Sequence, residues 1–401
     1  MSPSAAPRVR PEAVIGLVER LVAIPSVNPQ LVPGGAGEAK LAEALAEVCR
    51  TLDLEVALEE AAPGRPNLVA VLRGRAPRRG RSLMLNGHTD TVGPAGMAEP
   101  FVPAHRGDRL YGRGALDMKA GLAAMVAAAG AIREARVVPL GDLILTFVVD
   151  EEHLSAGTEA LVRRHRADAA IITEPTGLRV GVAHKGFAWA RIRTEGHAAH
   201  GSDVAVGVDA IAHMGRVLAA IERLDREVLP RAAHPLLGRP SVHASLIEGG
   251  EGLSTYPPSC TLDIERRMLP AETPDGVRRE LEEALAGLRT ADPAFRATVE
   301  ITGSRPGLDV DPDAPIVRAL RGAAGRVLGR DPAPIGVAYW CDAAILTQHG
   351  ISTVLFGPSG EGLHAEVEYV DVPSTAACAQ VLAETAVAFC GAGDAAADVP
   401  L

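Results

Sequence analysis

The chain has 401 residues, of which 47% are hydrophobic and 22% charged, a composition typical of a globular protein with ample material for a core. Its length exceeds what one hydrophobic core usually covers, so we expect two domains. The formal net charge of −10 is spread along the chain, which argues against binding to nucleic acids or to anionic membrane surfaces.

The ends and the cysteines of the chain bear on its location in the cell. The first residues lack a basic segment followed by an apolar one, so no signal peptide is predicted. No uninterrupted run of about 20 apolar residues predicts a membrane span. The five cysteines are odd in number and lack CxxC spacing. We therefore expect a cytoplasmic protein whose cysteines are reduced and mostly buried.

Helices and strands alternate in the first 180 residues. Amphipathic periodicity predicts helices at residues 11–21, 38–52, 119–133 and 158–165. Short apolar runs, typical of strands covered on both faces, predict strands at residues 67–72, 82–86, 142–149 and 169–173. This alternation indicates an α/β domain.

The pattern changes after residue 180. The predicted elements are then a strand at 186–193, a helix at 207–224, strands at 241–247 and 260–266, a helix at 273–288 and a strand at 297–301. This β-α-β-β-α-β order is the split βαβ, or ferredoxin-like, arrangement. A helix at 315–327, a strand at 353–356 and a helix at 373–389 then resume the first pattern. We predict that residues 1–180 and 304–401 form one domain and that residues 181–303 form an inserted α+β domain.

Side chains that can bind a metal follow the apolar strands of the first domain. His88 and Asp90 follow the second strand, Glu151 and Glu152 follow the third, and Glu174 follows the fourth. An open α/β sheet binds its ligands in the crevice at the carboxyl ends of its strands. The mixture of imidazole and carboxylate suits a divalent ion such as zinc.

Some of these residues also have ordinary structural explanations. A histidine near an aspartate is common in loops, and Asp117, just before a predicted helix, is typical of an N-cap. Three successive acids, Asp150 to Glu152, are harder to explain, because their mutual repulsion opposes packing. Adjacent side chains of a strand point in opposite directions, so one glutamate can bind a metal while the other faces the reacting water.

Five motifs occur in one order along the chain. They are Gly87-His88-Thr89-Asp90-Thr91-Val92, Tyr111-Gly112-Arg113-Gly114-Ala115-Leu116-Asp117-Met118-Lys119, Asp150-Glu151-Glu152, Glu174-Pro175-Thr176, and Gly357-Pro358 followed by His364. In these motifs the sequence resembles the M20 family of metallopeptidases and amidohydrolases, of the acetylornithine deacetylase, succinyl-diaminopimelate desuccinylase, aminoacylase and glutamate carboxypeptidase type. The resemblance covers nearly the whole chain. It implies a zinc-peptidase-like catalytic domain with a mixed central sheet flanked by helices, and an inserted lid that forms the contact of a homodimer.

The resemblance also implies a metal centre. Asp117 would bridge two divalent ions per chain, usually zinc. His88 and Glu174 would complete the ligands of one ion, and Glu152 and His364 would complete those of the other. Cobalt and manganese also accept this set of ligands.

Further residues take roles from the same resemblance. Glu151 is implied as the general base, and Asp90 as the residue that orients the first histidine ligand. His200 matches a histidine that reaches the partner subunit's site and stabilises the oxyanion. Arg267 and Arg305 match basic positions that help to hold a substrate carboxylate.

The predicted function is hydrolysis of the amide bond of small N-acyl amino acids by a metal-dependent deacetylase-like or desuccinylase-like enzyme. The alternative is a metallocarboxypeptidase or dipeptidase of the same family, because only the pocket would differ. Ser254 stands where many relatives carry an asparagine that contacts the substrate, which leaves the substrate open. A non-catalytic binding protein would lack a ligand or the base, and none is missing. A nucleotide site at Gly112-Arg113-Gly114 is excluded, since no GxGxxG or GxxxxGK follows a strand.

Overall fold

A computed structural model describes residues 6–391 of the chain. Within that range the chain divides into two compact units. The first comprises residues 6–182, Val310–Ile335 and 341–391, and the second comprises Ala183–Asp309 and Gly336–Trp340. The second unit contains most of the segment predicted as an insertion and also takes in Arg305.

The helices and strands are numbered here in chain order. The helices are α1 Pro11–Val22, α2 Ala39–Thr51, α3 Ala120–Glu134, α4 Ala156–Arg164, α5 Ala210–Arg223, α6 Pro274–Ala291, α7 Pro315–Leu328, α8 Ala343–Gln348 and α9 Val372–Cys390. The strands are β1 Glu55–Ala62, β2 Arg65–Leu72, β3 Leu83–His88, β4 Ala104–Arg106, β5 Arg109–Tyr111, β6 Leu143–Val148, β7 Ala169–Ile172, β8 Val180–His184, β9 Gly186–Glu195, β10 Ser241–Gly249, β11 Ser259–Met268, β12 Arg296–Arg305, β13 Leu308–Asp309, β14 Pro334–Val337, β15 Ser352–Leu355, β16 Gly360–Glu361 and β17 Tyr369–Asp371. A single π-helical turn, Ala115–Lys119, leads into α3.

The first unit is built on a mixed sheet, as predicted. Its strands lie in the order β1-β2-β6-β3-β7-β15-β8. β3 is parallel to both of its neighbours, β6 and β7, and β15 is parallel to β7. β1, β2 and β8 join by antiparallel pairing. Every residue of β3, β6 and β7 is buried, which explains why β6 and β7 are almost wholly apolar and why β3 begins with Leu83-Met84-Leu85.

Helices cover this sheet in layers. Helices α1, α3, α7 and α9 pack with one another, and α4 and α8 contact each other elsewhere on the sheet. The approach of α3 to the end of β7 is close enough to require glycine. A Cβ atom on Gly121 would lie 2.3 Å from the carbonyl oxygen of Thr173.

Two helical segments among the described residues have the length and hydropathy of membrane spans. They are Ala115–Glu134 and Val372–Cys390, with mean hydropathies of 1.5 and 1.2. Their most apolar stretches are 89% and 56% buried within the fold, and α3 packs against α9. Such burial is typical of core helices. The five cysteines are free thiols and all are buried, as predicted.

The second unit contains the predicted split βαβ arrangement. β9, α5, β10, β11, α6 and β12 follow one another, and the sheet order β10-β11-β9-β12 is antiparallel throughout. Alternate residues of β9, namely Ala188, Ala190 and Ile192, are buried in a core shared with α5 and α6. The opposite face of the sheet carries Phe187 and the 41% exposed Trp189.

Candidate metal centre

The three central strands of the first unit end side by side. His88 is the last residue of β3 and lies opposite Val148, the last residue of β6. Glu151 and Glu152 lie in the turn that follows β6, and Glu174 lies just past β7. Parallel pairing therefore brings an imidazole and three carboxylates to one edge of the sheet.

Asp117 lies between two histidines that are far apart in sequence. Its Oδ1 is 3.1 Å from Nε2 of His88, and its Oδ2 is 3.3 Å from Nε2 of His364. It is not the N-cap of α3, because that position belongs to Lys119. A carboxylate that presents one oxygen to each of two imidazoles has the arrangement of a bridging ligand.

Each histidine has a second carboxylate beside it. Nε2 of His88 is 3.5 Å from Oε1 of Glu174, and Nε2 of His364 is 3.1 Å from Oε2 of Glu152. Ligand atoms of His88, Glu151 and Glu174 lie within 4.8 Å of one another, and so do those of His88, Asp117 and Glu152. Glu151 therefore groups with His88 and Glu174, and Glu152 groups with His88 and Asp117.

His364 reaches the cluster from a tight loop after β16. Its backbone φ is 60°, in the left-handed region that side chains rarely adopt. The loop turns at Gly362, where φ is 92° and a Cβ atom would lie 1.8 Å from the carbonyl oxygen of Val367. Only glycine fits there.

Asp90 contacts both His88 and the turn that carries Glu151 and Glu152. Nδ1 of His88 lies 3.0 Å from the Asp90 carbonyl oxygen and 3.6 Å from its carboxylate. Because a carbonyl only accepts, Nδ1 carries a proton, which leaves Nε2 as the ring nitrogen that faces the carboxylates of Asp117 and Glu174 and would bind a cation placed there. The Asp90 carboxylate accepts hydrogen bonds from the backbone amides of Glu151 and Glu152, both of 3.1 Å, and one of 2.8 Å from the Asn28 side chain.

The carboxyl groups of the cluster are electrostatically crowded. Burial raises the pKa of Glu174 to about 8 and the pKa of Asp342 to about 6. Burial also raises the pKa of Glu151 and of Glu152, and neighbouring carboxylates add to each of these shifts. A cation bound among these groups would offset the cost of burying their negative charges and reduce the repulsion between them.

The donor atoms fit divalent cations. Imidazole nitrogen and carboxylate oxygen are the ligands that zinc and related ions take in proteins. Oε1 of Glu152 is buried and has no hydrogen-bond partner among the described residues, and the same holds for Oδ1 of Asp342. A buried, unpartnered carboxylate oxygen is costly unless something binds it. Oε1 of Glu152 is therefore available as a metal ligand.

The structure also identifies residues that sequence reasoning missed. Asn28 contacts Asp90, Asp342 accepts a hydrogen bond of 2.6 Å from Thr158, and Glu368 binds the loop that carries Asp117. All three lie outside the five motifs, although Glu368 follows His364 by four residues. Their only signal was that each is a polar residue close to apolar segments.

The remaining predicted residues lie in the second unit. Arg267 and Arg305 stand opposite the same residue of β9, Phe187, one on each side of it. The guanidinium of Arg267 lies 5.8 Å from the centre of the Phe187 ring and 3.0 Å from a carboxylate oxygen of Glu265. The structure thus brings the two arginines to one place on the sheet.

His200 lies on an exposed loop of the same unit. Its Nδ1 accepts a 3.3 Å hydrogen bond from the backbone amide of Ser202, and the Ser202 hydroxyl is 2.8 Å away. A backbone amide can only donate, so the proton of a neutral His200 ring is on Nε2. Ser254 lies beside this loop, where its carbonyl accepts a hydrogen bond of 2.7 Å from the amide of Gly201.

Comparison with known proteins agrees with the fold and with the cluster. Residues 84–388 match the family described as Peptidase family M20/M25/M40. Acetylornithine deacetylase from Myxococcus xanthus is 32% identical over 83% of this chain and 87% of its own length. N-formyl-4-amino-5-aminomethyl-2-methylpyrimidine deformylase from Bacillus subtilis is 29% identical over 82% of this chain and 84% of its own length.

Solved structures share the fold at low sequence identity. Aminopeptidase PepT from Bacillus cereus superposes with a TM-score of 0.78 at 21% identity, covering 94% of this chain and 99% of its own. Bacillus subtilis YXEP, described as a dinuclear metal binding peptidase from the M20 family, has a TM-score of 0.72 at 16% identity, covering 95% and 98%.

The fold and the cluster of histidines and carboxylates define a hydrolase of the metallopeptidase and amidohydrolase class. The chain belongs to peptidase family M20/M25/M40.

Proposed function

We propose that this hydrolase cleaves the amide bond of small N-acyl amino acids at a centre of two divalent metal ions. The observation that carries the proposal is the position of Asp117, with one carboxylate oxygen toward His88 and the other toward His364. Because each histidine has its own glutamate neighbour, the cluster offers two sets of ligands that share one bridge.

The metal ligands follow from these contacts. His88, Asp117 and Glu174 would hold one ion, and Asp117, Glu152 and His364 the other; zinc is the first choice, with cobalt and manganese as alternatives. When bound, such a pair of ions lowers the pKa of a water molecule and polarises the carbonyl of the substrate.

Glu151 is proposed as the general base. Burial raises the pKa of this carboxyl group well above its usual value, and the carboxylates of Asp342, Glu174 and Glu152 add to the shift, so its tendency to hold a proton is increased. Its carboxylate takes a proton from the attacking water and returns it to the leaving nitrogen. Asp90 supports this role, since it accepts a hydrogen bond from the Glu151 amide and fixes the turn.

The second unit is proposed to bind the substrate and to form the dimer. Nε2–H of His200 is a suitable donor to the oxyanion of a partner subunit's substrate. Arg267 and Arg305, on either side of Phe187, suit a substrate carboxylate. The edge strand β10 leaves Leu246 and Ile247 70% and 56% exposed, which favours pairing with a second copy of the chain.

The similarity to known enzymes favours a deacylase over a peptidase. The deacetylase from Myxococcus xanthus is 32% identical over most of its length. The peptidases of known structure that it resembles are 22% identical or less, as for PepT and YXEP, so their likeness concerns the fold alone. We therefore place amidohydrolase activity ahead of carboxypeptidase or dipeptidase activity.

The test is a substrate panel with a metal analysis. The protein is stripped of metal, reloaded with Zn²⁺, Co²⁺ or Mn²⁺, and assayed on N-acetyl, N-formyl and N-succinyl amino acids, N-acetylornithine, dipeptides and tripeptides. We expect two ions per chain and the highest kcat/KM on an N-acyl amino acid. Asp117→Asn should lose metal and activity, whereas the exposed control Asp275→Asn should keep both. Preference for peptides would favour the alternative, and one or no ion would contradict the proposed centre.

A further inference from the structure

Arg113 and Glu368 form a buried ion pair beside the metal centre. Their side chains are 1% and 0% exposed, and Nη1 of Arg113 lies 2.6 Å from Oε2 of Glu368. A buried ion pair is often no more stabilising than well-packed apolar residues. The role of the pair is therefore indicated by the hydrogen bonds that the other polar atoms of Arg113 and Glu368 make.

Glu368 binds the loop that carries Asp117. Besides Arg113, its Oε2 accepts a hydrogen bond of 3.0 Å from the amide of Gly114. Its Oε1 accepts hydrogen bonds of 2.8 Å from the amide of Leu116 and 3.1 Å from the amide of Asp117 itself. One carboxylate thus satisfies three backbone amides and fixes the turn from which the bridging carboxylate projects.

Arg113 binds the loop that carries the other histidine. Its Nη2 donates a hydrogen bond of 2.8 Å to the carbonyl oxygen of Ala365, the residue after His364. The side chain of His364 is 54% exposed, so packing alone does little to hold it. Arg113 provides a fixed contact next to this histidine.

We propose that Arg113 and Glu368 are positioning residues that set the separation of Asp117 from His364, and with it the affinity of the metal site formed by Asp117, Glu152 and His364. The inference rests on the proposed two-metal centre and deepens it. Neither side chain contacts a side chain of the proposed ligand set in these hydrogen bonds; both bind backbone groups of the two loops that carry ligands. Groups outside the ligand shell that orient the ligands typically contribute 10–100-fold to metal affinity, as an order of magnitude.

Two conservative variants test separately the contact of Arg113 with the His364 loop and the contact of Glu368 with the Asp117 loop. Arg113→Lys keeps the charge, but one ammonium group cannot reproduce the forked contact to both Glu368 and the Ala365 carbonyl. It should weaken the site of His364 by roughly 10–100-fold and leave the site of His88 nearly unchanged. Glu368→Gln places an amide NH₂ among backbone amides, so it should displace Asp117 and weaken both sites.

The measurement is stepwise Zn²⁺ binding to metal-stripped protein in competition with a chromophoric chelator. Thermal unfolding of the metal-free protein is recorded in parallel, since a purely structural role would change stability and not zinc affinity. The matched control is Arg266→Lys in the second unit, where Arg266 is 0% exposed and binds Glu280 at 2.9 Å and Glu272 at 2.7 Å. This control should lower stability and keep both zinc affinities.

The outcomes distinguish the inference from the proposed function. Wild-type protein that binds fewer than two zinc ions contradicts the proposed centre. Wild-type protein that binds two, with both affinities unchanged in Arg113→Lys and Glu368→Gln, overturns only the positioning role. Equal loss of zinc in Arg266→Lys would also overturn it, because any destabilisation would then suffice. If Glu368→Gln does not fold, selective loss of one zinc in Arg113→Lys still decides the question.

Discussion

The guanidinium of Arg65 donates a hydrogen bond of 2.9 Å to the carboxylate of Asp150, and both side chains are buried. Arg65 also binds the buried carboxylate of Glu38, and Asp150 accepts a hydrogen bond of 3.1 Å from Asn28. This network explains the first of the three successive acids. Asp150 is paired with Arg65, while its two neighbours lie among the candidate metal ligands.

Replacing Arg65 should destabilise the protein strongly. Arg65→Met leaves two carboxylates, Glu38 and Asp150, buried without their cation, and breaking a buried pair in this way typically costs about 3–5 kcal/mol. The measurement is urea unfolding of the metal-free protein at pH 7. Arg20→Met is the control, because Arg20 pairs with Glu47 at the surface and its side chain is 47% exposed. Similar small changes in the two variants would show that the buried network contributes no more than a surface pair.

Much of the fold could be predicted because its elements carry strong local patterns. The buried strands β6 and β7 are short apolar runs and β3 begins with one. Helix α1 begins at a proline and buries one apolar face, and α9, also with a proline in its first turn, is largely apolar. The strand β1 was missed. Its residues alternate between exposed and half-buried at the edge of the sheet, so Glu55–Ala62 reads as polar, and only pairing with β2 makes it a strand.

The clustering of candidate ligands was predictable where they follow strand ends, as for His88, Glu152 and Glu174, and their roles stay predictions. The supporting residues could not be found in this way. Glu368 acts through backbone amides of a loop more than two hundred residues earlier in the chain, as its contact to Asp117 shows. A sequence pattern reports local periodicity, and such long-range contacts depend on the folded arrangement of the loops.

Stability of the second unit should depend on pH through Asp225. Two hydrogen bonds from Arg239 lower the pKa of this carboxyl group below its usual value of 3.8, and burial opposes this effect. A lowered folded-state pKa means that the stabilisation is complete above pH 3.8 and is lost as the pH falls through the folded value. Asp225→Asn should therefore lower the free energy of unfolding at pH 7, by about 1 kcal/mol for a partly exposed pair.

The difference between wild type and Asp225→Asn should shrink at pH 3. Urea unfolding at pH 7, 5 and 3 measures it, and Asp275→Asn serves as the control because that side chain is 79% exposed. A difference that is constant over this range would mean that ionisation of Asp225 does not stabilise the unit.

His200 offers a test of assembly. If it donates to the oxyanion across a homodimer, His200→Ala should lower kcat by about 10²-fold or more. His197→Ala is the matched control, since His197 is exposed on the same loop and has no proposed role. Mixing His200→Ala with Glu151→Ala should restore activity, because each mixed dimer contains one intact composite site. Absence of recovery, once subunit exchange is demonstrated, would indicate that His200 acts within its own chain or not at all.

Variants of Glu151 and Glu152 can distinguish the proposed general base from the proposed metal ligand. Glu151→Gln keeps the size of the side chain but cannot accept a proton. It should retain both metal ions while kcat falls by about 10²–10⁴-fold, the usual effect of losing general-base catalysis. Glu152→Gln removes an anionic ligand that lies 3.1 Å from His364, so it should weaken one metal site.

Metal dependence decides between the two roles. Turnover and metal content are measured for both variants at limiting and at excess metal. Excess metal should restore part of the rate of Glu152→Gln, because mass action refills a weakened site, and it should leave Glu151→Gln inactive, because no metal replaces a proton acceptor. The two glutamates have identical chemistry, and only their neighbours differ: Glu152 faces His364, and Glu151 lies within 4.8 Å of His88 and Glu174. Loss of metal from Glu151→Gln with full retention by Glu152→Gln would reverse the assignment, since the ligand would then be the residue that groups with His88 and Glu174.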